Sequence, residues 1–314
     1  MDKLAASSKN TQSKCIVCGS ERLKHFSRYN TAKETEGIFI GRRLVRCQSC
    51  SHIQIEPMFT EDELDQYYSQ SKYWSEKHSD DRTHKLQSKA FSQIAYIESK
   101  TSLNDIERVL DIGAGYGRFF QELRALLPER EFKFTAVEGG PDAVTYLKET
   151  FDAKIHKSYK AVKGKFDLIV ISHFMEHMSN PSELMRLISR SLTSSGVCFI
   201  EVPNKDYAYR KNLTPHISFF SPESLTHCST NNGLKVVDIT TAGTPLILLD
   251  RSNAPHIRLL RAAARFYEKI LIGRLDQQYN EIFLNTLIKR SKMTERSTAV
   301  AGRDRYRLQA LLKL

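Results

Sequence analysis

The stretch Arg108-Val109-Leu110-Asp111-Ile112-Gly113-Ala114-Gly115-Tyr116-Gly117 decides how the rest of the chain is read. A short apolar run that ends in glycines predicts a strand buried on both faces, then a turn that a ligand can approach closely. The following RFFQELRALL (118–127) places Phe119, Leu123, Leu126 and Leu127 on one helical face. A helix N-terminus therefore faces the turn and favours a carboxylate or phosphate there. The third glycine comes one residue too early for the dinucleotide pattern G-x-G-x-x-G, where Arg118 stands instead. An acid, Asp111, sits at the strand end.

Outward from this turn, strand and helix patterns alternate over residues 106–240. FKFTAVEGG is a second strand ending at Glu138, and PDAVTYLKETF is a helix opened by Pro141. AKIHKS is a weak third strand and FDLIVIS a strong fourth. NPSELMRLISRSL is a helix with Pro181 in its first turn and Gly196 closing it. VCFIEVPN is a fifth strand, SPESLTHCSTNNG a capped helix, LKVVDIT a sixth strand and TERSTAVAGR the candidate seventh. This order predicts an α/β fold: a doubly wound, mostly parallel seven-stranded Rossmann-like sheet, with ligands beyond the carboxyl ends of its strands.

Around this core (106–249) the chain divides into a mobile basic tail (1–14), a cysteine-bearing module (15–58) and a helical linker or lid (59–105). A helical insertion (250–292) and a last strand with its tail (293–314) complete it. Thr60 and Glu63 have capping-box spacing. In 254–272, Arg258, Arg261, Arg265 and Lys269 draw one cationic stripe on an otherwise apolar helix. That stripe suits an anionic acceptor, acidic lipid or plain solvent.

The glycine turn and Glu138, 27 residues after Asp111, resemble motif I and the second-strand acid of class I S-adenosylmethionine-dependent methyltransferases. The resemblance covers about residues 106–240. It implies that Asp111, Gly113, Gly115 and Gly117 hold the methionine part of S-adenosyl-L-methionine, and that Glu138 holds its ribose. After the third strand, where such enzymes often carry an acid for adenine, this chain has His156-Lys157-Ser158-Tyr159-Lys160, so no adenine contact is named.

Strand four runs into Ser172-His173-Phe174-Met175-Glu176-His177, with Pro181 beyond. This Glu-His-apolar-x-x-Pro ending is similar to that of small-molecule methyltransferases, the quinone-pathway type included. It is unlike the Asn/Asp-Pro-Pro-aromatic motif of amino-methylating nucleic-acid enzymes. His177 becomes a candidate catalytic residue and His173 a candidate cofactor contact, the two sharing a face if helix begins there. Pro215-His216-Ile217-Ser218-Phe219-Phe220-Ser221 resembles a segment of zinc-containing sugar C-methyltransferases of deoxysugar biosynthesis. The resemblance implies that His216 is the general base, a role suited to a side chain that titrates near neutrality. Pro215 stands where those enzymes have Glu, which weakens the assignment of carbon as the methylated atom. It also implies an aromatic lid over the cofactor, with Tyr73 of Tyr73-Trp74 the nearest match; packing against the core is the plainer reading.

Cys15-x-x-Cys18 and Cys47-x-x-Cys50 are two knuckles with 28 residues between them. Four thiolates predict a closed, structural Zn2+ site with no open position for catalysis, with Gly19 and Ser49 suited to the knuckle turns. Cys198 reads as core. A net charge of +11 fits nucleic acid, an anionic small acceptor, an acidic membrane surface or a solvated basic surface equally well. No apolar run reaches the 18 residues of a spanning helix, and the first residues lack a signal peptide's apolar stretch, so a cytoplasmic location is expected. The functional expectation is methylation of a sugar, nucleotide-sugar or glycan end. The alternatives are a zinc-containing RNA methyltransferase and a non-catalytic zinc-ribbon binding protein on the same scaffold.

Overall fold

A computed structural model describes residues 13–32, 37–70, 83–245 and 305–314. Tyr73, Trp74, the 250–292 segment with Arg258, Arg261, Arg265 and Lys269, and TERSTAVAGR lie outside them.

Seven strands form the main sheet: β4 (Arg108–Ile112), β5 (Lys133–Val137), β6 (Lys154–His156), β7 (Phe166–Ser172), β8 (Leu192–Pro203), β10 (Lys235–Pro245) and β11 (Arg305–Lys313). Their order is β10-β11-β8-β7-β4-β5-β6. β4 pairs in parallel with β5 and β7, and β7 with β8, whereas β11 runs antiparallel to both β8 and β10. The order reverses at β4, so the crevice for a ligand opens between the carboxyl ends of β4 and β7.

The strands read as near-continuous apolar runs because both faces are covered. Along β4 and β7, Val109, Leu168 and Val170 enter one core with helices α2 (Thr83–Glu98), α3 (Arg118–Leu126) and α4 (Pro141–Phe151). Leu110, Ile112, Ile169 and Ile171 enter the other, with α5 (Pro181–Ser191) and α6 (Pro222–Thr230). Asn180 caps α5 by accepting from Glu183 N–H at 3.3 Å, and Pro181 occupies its first turn. α1 (Glu61–Gln70) opens with the expected box: Glu63 N–H donates to Thr60 Oγ1 at 3.2 Å, and Thr60 N–H to Glu63 Oε2 at 2.7 Å.

Two sequence expectations are corrected. Gly196 does not close α5, which ends at Ser191; β8 starts at once, and Thr193–Gly196 form a bulge between Leu192, opposite Phe166, and Val197, opposite Leu168. Strand seven is Arg305–Lys313, C-terminal to the stretch expected.

The cysteine segment builds β1 (Leu23–Arg28), β2 (Arg43–Cys47) and β3 (Ile53–Glu56), an antiparallel sheet in the order β1-β2-β3-β9. Its fourth strand, β9 (Ser218–Phe219), comes from the segment just after His216, with Ile53 opposite Phe219 and Gln54 opposite Ser218. Tyr29, Phe39, Leu44, Ile55 and Phe59 share one buried cluster with Leu213, Ile217 and Phe219. The module is thus built into the wall that carries His216. Among the described residues, no helix is long and apolar enough to cross a membrane.

Candidate active site

The register sets Asp111, Glu138, His173 and Glu201 on one rim, since Ile112 lies opposite both Val137 and Ile171, and Ser172 opposite Glu201. The glycine turn is held down by Val137, whose carbonyl accepts from Gly113 N–H at 2.9 Å. Glu138 is buried and grips the turn from the side. Its Oε2 accepts from Gly115 N–H at 2.8 Å, and its Oε1 from Gly139 and Gly140 N–H at 2.9 and 2.8 Å. A carboxylate offers about four acceptor positions, so with three taken by the backbone one stays open, on Oε2.

Asp111 is buried; desolvation first, and the neighbouring Glu138 second, raise its pKa to about 7 against the opposing pull of Lys89. The folded state therefore binds a proton that the unfolded state has released. That contribution to stability is complete below pH 4 and is lost as pH rises to about 7. Asp111→Asn is expected to raise the melting temperature of the cofactor-free protein at pH 8 and to change it little at pH 4. Each pKa unit corresponds to about 1.4 kcal/mol. Equal shifts at both pH values in thermal melts would contradict this.

His173 and His177 do not share an α-helical face as the spacing suggested. His173 is left-handed (φ 56°), and Met175–His177 form a single 3-10 turn. The two meet instead on the buried Glu176, whose Oε1 lies 3.1 Å from His173 Nδ1 and 3.9 Å from His177 Nε2. Burial opposes ionisation of Glu176, but the His173 bond and the charges of His173, His177 and His216 hold its pKa at about 2. Burial and Lys89 push His173 down; its bonds to Glu176 and Glu201 outweigh them and raise it.

Glu201 anchors the rim from below. Its Oε1 lies 3.3 Å from Lys89 Nζ and accepts from Gln93 Nε2 at 3.0 Å, and its Oε2 accepts from Arg307 at 3.1 Å and Gln309 at 2.6 Å. Burial works against its charge, but Arg307 and Lys89 keep it ionised well below the usual carboxylate range.

His216 faces His177 across 5.0 Å between ring centroids, in an edge-on arrangement. Its backbone is held from three sides: its carbonyl accepts from Tyr29 O–H at 2.9 Å, its N–H donates to Leu213 O at 2.7 Å, and the next N–H, of Ile217, donates to Glu176 O at 2.9 Å. Its Nδ1 meets Asp206 Oδ2 at 2.5 Å, both residues being buried. Tyr68 O–H lies 3.0 Å from His177 Nδ1. Glu176, His177 and His216 each bring a donor atom within 4.8 Å of the others, a spacing a cation could bridge. Arg210 disfavours a cation there: Nη1 lies 3.2 Å from His216 Nε2, a permanent positive charge beside the ion's place.

The sequence pointed to His177 and His216 but not to Asp206, Arg210 or Tyr68. Asp206 lies ten residues before His216 in a loop with no motif of its own. Glu176 lies within the Glu-His-apolar-x-x-Pro ending itself, and its role comes from the fold, which sets it between His173 and His177.

Cys15 Sγ lies 3.6 Å from Cys50 Sγ, Cys18 Sγ lies 3.5 Å from Cys47 Sγ, and all four fall within 4.8 Å of one another. These are not disulfide lengths of about 2 Å. They approach the roughly 3.8 Å edge of a tetrahedron with metal–sulfur bonds of about 2.3 Å, so the four can hold one ion. Left-handed residues close both knuckles, Gly19 (φ 72°) and Ser51 (φ 62°). Ser49 instead donates its N–H to Cys47 Sγ at 3.3 Å.

A doubly wound sheet with an antiparallel seventh strand, a glycine turn after its first strand and an acid after its second defines the class I methyltransferase architecture. The methyltransferase-domain family matches residues 82–239, half of the chain. The chain belongs to this family, and it is an S-adenosylmethionine-dependent methyltransferase. Ubiquinone biosynthesis O-methyltransferases of Coxiella burnetii are 24% identical over 178 residues, 47% of this chain and 71% of theirs. Among solved structures, a SAM-dependent methyltransferase from Archaeoglobus fulgidus is 20% identical, covering 74% of this chain and 94% of its own with a TM-score of 0.47. Coclaurine N-methyltransferase, bound to N-methylheliamine and SAH, is 16% identical over 70% of each chain, with a TM-score of 0.45.

Proposed function

We propose that this methyltransferase acts on a small anionic acceptor, a sugar, nucleotide-linked sugar or glycan end, with His216 as general base and His177 beside it. The observation that carries this reading is the His177–His216 pair, with His216 buried and His177 half-buried, on the loop that begins beside the glycine turn. An added Cβ on Gly113 would meet Phe174 at 3.0 Å, and His177 follows three residues later in the same loop. The similarity to ubiquinone O-methyltransferases supports a small-molecule acceptor.

Gly113, Gly115 and Asp111 would hold the methionine part of the cofactor, Glu138 its ribose, and His173 would line the pocket. When bound, the cofactor supplies an electrophilic methyl group on a sulfonium. Transfer of that methyl to the acceptor atom would leave the carbon–sulfur electron pair on sulfur and release the acceptor's proton. His216 takes the acceptor's proton, and Glu176 beneath the pair favours the resulting positive charge. Cys15, Cys18, Cys47 and Cys50 would hold a structural zinc ion.

The test is incubation with labelled cofactor against a nucleotide-sugar panel and against total RNA. Label in a nucleotide sugar is expected; label only in RNA overturns the acceptor class, and none in either with cofactor bound points to the binding-protein reading. His216→Ala is expected to lower turnover by about 10²–10⁴ with cofactor affinity barely changed. A parallel fall in affinity on titration would make His216 a wall residue of the pocket.

A further inference from the structure

We propose that Asp206 is the positioning residue of His216: its carboxylate fixes the imidazole in the Nδ1–H form and leaves Nε2 to take the acceptor's proton. This rests on the reading of His216 as base.

Asp206 sits just past the carboxyl end of β8, where Lys205 turns the chain in a left-handed conformation (φ 52°) and residues 206–208 form a short 3-10 turn. Only 1% of Asp206 is exposed, and its Oδ2 approaches His216 Nδ1 to 2.5 Å. A carboxylate accepts and does not donate, so a bond of this length requires the proton on Nδ1. The lone pair is then on Nε2. An acid at one ring nitrogen with the working lone pair at the other is the general arrangement of an oriented base.

Arg210 makes the acid necessary. Its Nη1 lies 3.1 Å from Nδ1 and 3.2 Å from Nε2, within hydrogen-bond reach of both ring nitrogens. A permanent cation in that place opposes formation of an imidazolium. Asp206 Oδ2 is 3.6 Å from the same Nη1, and offsets the guanidinium as well as the charge that His216 gains. The sequence carries Pro215 where the resembling segment has a glutamate. Asp206 brings a carboxylate to His216 from the neighbouring loop instead.

The experiment uses full-length, metal-loaded protein labelled with 15N-histidine, with His216→Asn to assign the ring signals. The expected result is a downfield Nδ1–H proton on His216 with Nε2 unprotonated, and loss of that proton signal in Asp206→Asn while the melting temperature stays near that of the parent. An Nε2–H form in the parent protein, or an unchanged spectrum in Asp206→Asn, overturns the proposal. If Asp206→Asn does not fold, Asp206→Glu replaces it and is expected to retain the Nδ1–H form. This readout needs no acceptor, so it stands apart from any failure of the acceptor panel. With an acceptor from that panel, Asp206→Asn is expected to lower kcat by about 10²-fold or more, with KM held. In a His216→Ala background it should then cost nothing further, because the two act as a unit. A double variant that loses the product of both single effects assigns Asp206 a separate role and also overturns the proposal.

Discussion

Gly115→Arg is expected to abolish binding of S-adenosylmethionine and of its demethylated product in isothermal titration, while leaving the protein folded. All three glycines of the turn have positive φ: 82° at Gly113, 54° at Gly115 and 63° at Gly117. Their surroundings differ. A Cβ on Gly113 would meet Phe174 at 3.0 Å, and one on Gly117 would meet Leu147 at 2.7 Å and Phe151 at 2.9 Å. A Cβ on Gly115 meets nothing within 4 Å. Protein packing therefore demands glycine at 113 and 117 but not at 115, where the open side is the cradle itself. A side chain in the left-handed region costs roughly 1–2 kcal/mol, too little to unfold a domain with two filled cores. The arginine would instead occupy the cradle and disturb the Gly115 N–H bond to Glu138. Gly117→Leu is the contrast: it should lower the melting temperature, because it drives a side chain into Leu147 and Phe151. Undiminished heat from Gly115→Arg, or heat with NAD in the parent protein and none with S-adenosylmethionine, would place the cofactor elsewhere.

The turn was legible because its chemistry is local: strand end, glycines and following helix are contiguous, and Glu138 closes the next strand. The both-faced burial of β4 and β7 was likewise written in their unbroken apolar runs. Strand β11 hid for a physical reason. Arg307 and Gln309 turn inward to Glu201, which interrupts the apolar pattern, and 59 residues separate the strand from its partner β10. β9 is two residues long and exists only because β3 offers an edge, which no periodicity can announce. Asp206 was invisible for a related reason: its meaning comes from a fold that brings the β8 loop against His216. Tyr68 reaches His177 from α1 in the same way, five residues before the tyrosine the resemblance favoured.

Loss of a metal ion held by the four cysteines should reach His216, the proposed base. Cys47→Ser is expected to lower metal content, unfold the β1–β3 sheet and reduce turnover at least about 10²-fold, the scale of a lost general base, while S-adenosylhomocysteine still binds. Binding of structural zinc is worth on the order of 10–16 kcal/mol in small zinc modules, and the free energy of folding is coupled to it. Four antiparallel strands with a small core retain little without it. The consequence travels through named bonds: Ile55 N–H donates to Ile217 O at 2.9 Å, and Tyr29 O–H to His216 O at 2.9 Å. Both donors belong to the module and both acceptors to the segment that presents His216. Among the described residues the glycine turn and Glu138 stand on β4 and β5 with no strand pairing to the module; Cys15, Cys47 and Cys50 only pack in the same buried cluster as Leu110, Ile112 and Val137, so cofactor affinity should fall far less than turnover. Metal analysis, thermal melts and titration with S-adenosylhomocysteine separate the effects. Freshly purified parent protein with no metal and four freely reactive thiols would remove the structural-zinc reading. Full turnover in a metal-free Cys47→Ser variant would show that the wall of His216 stands without the module.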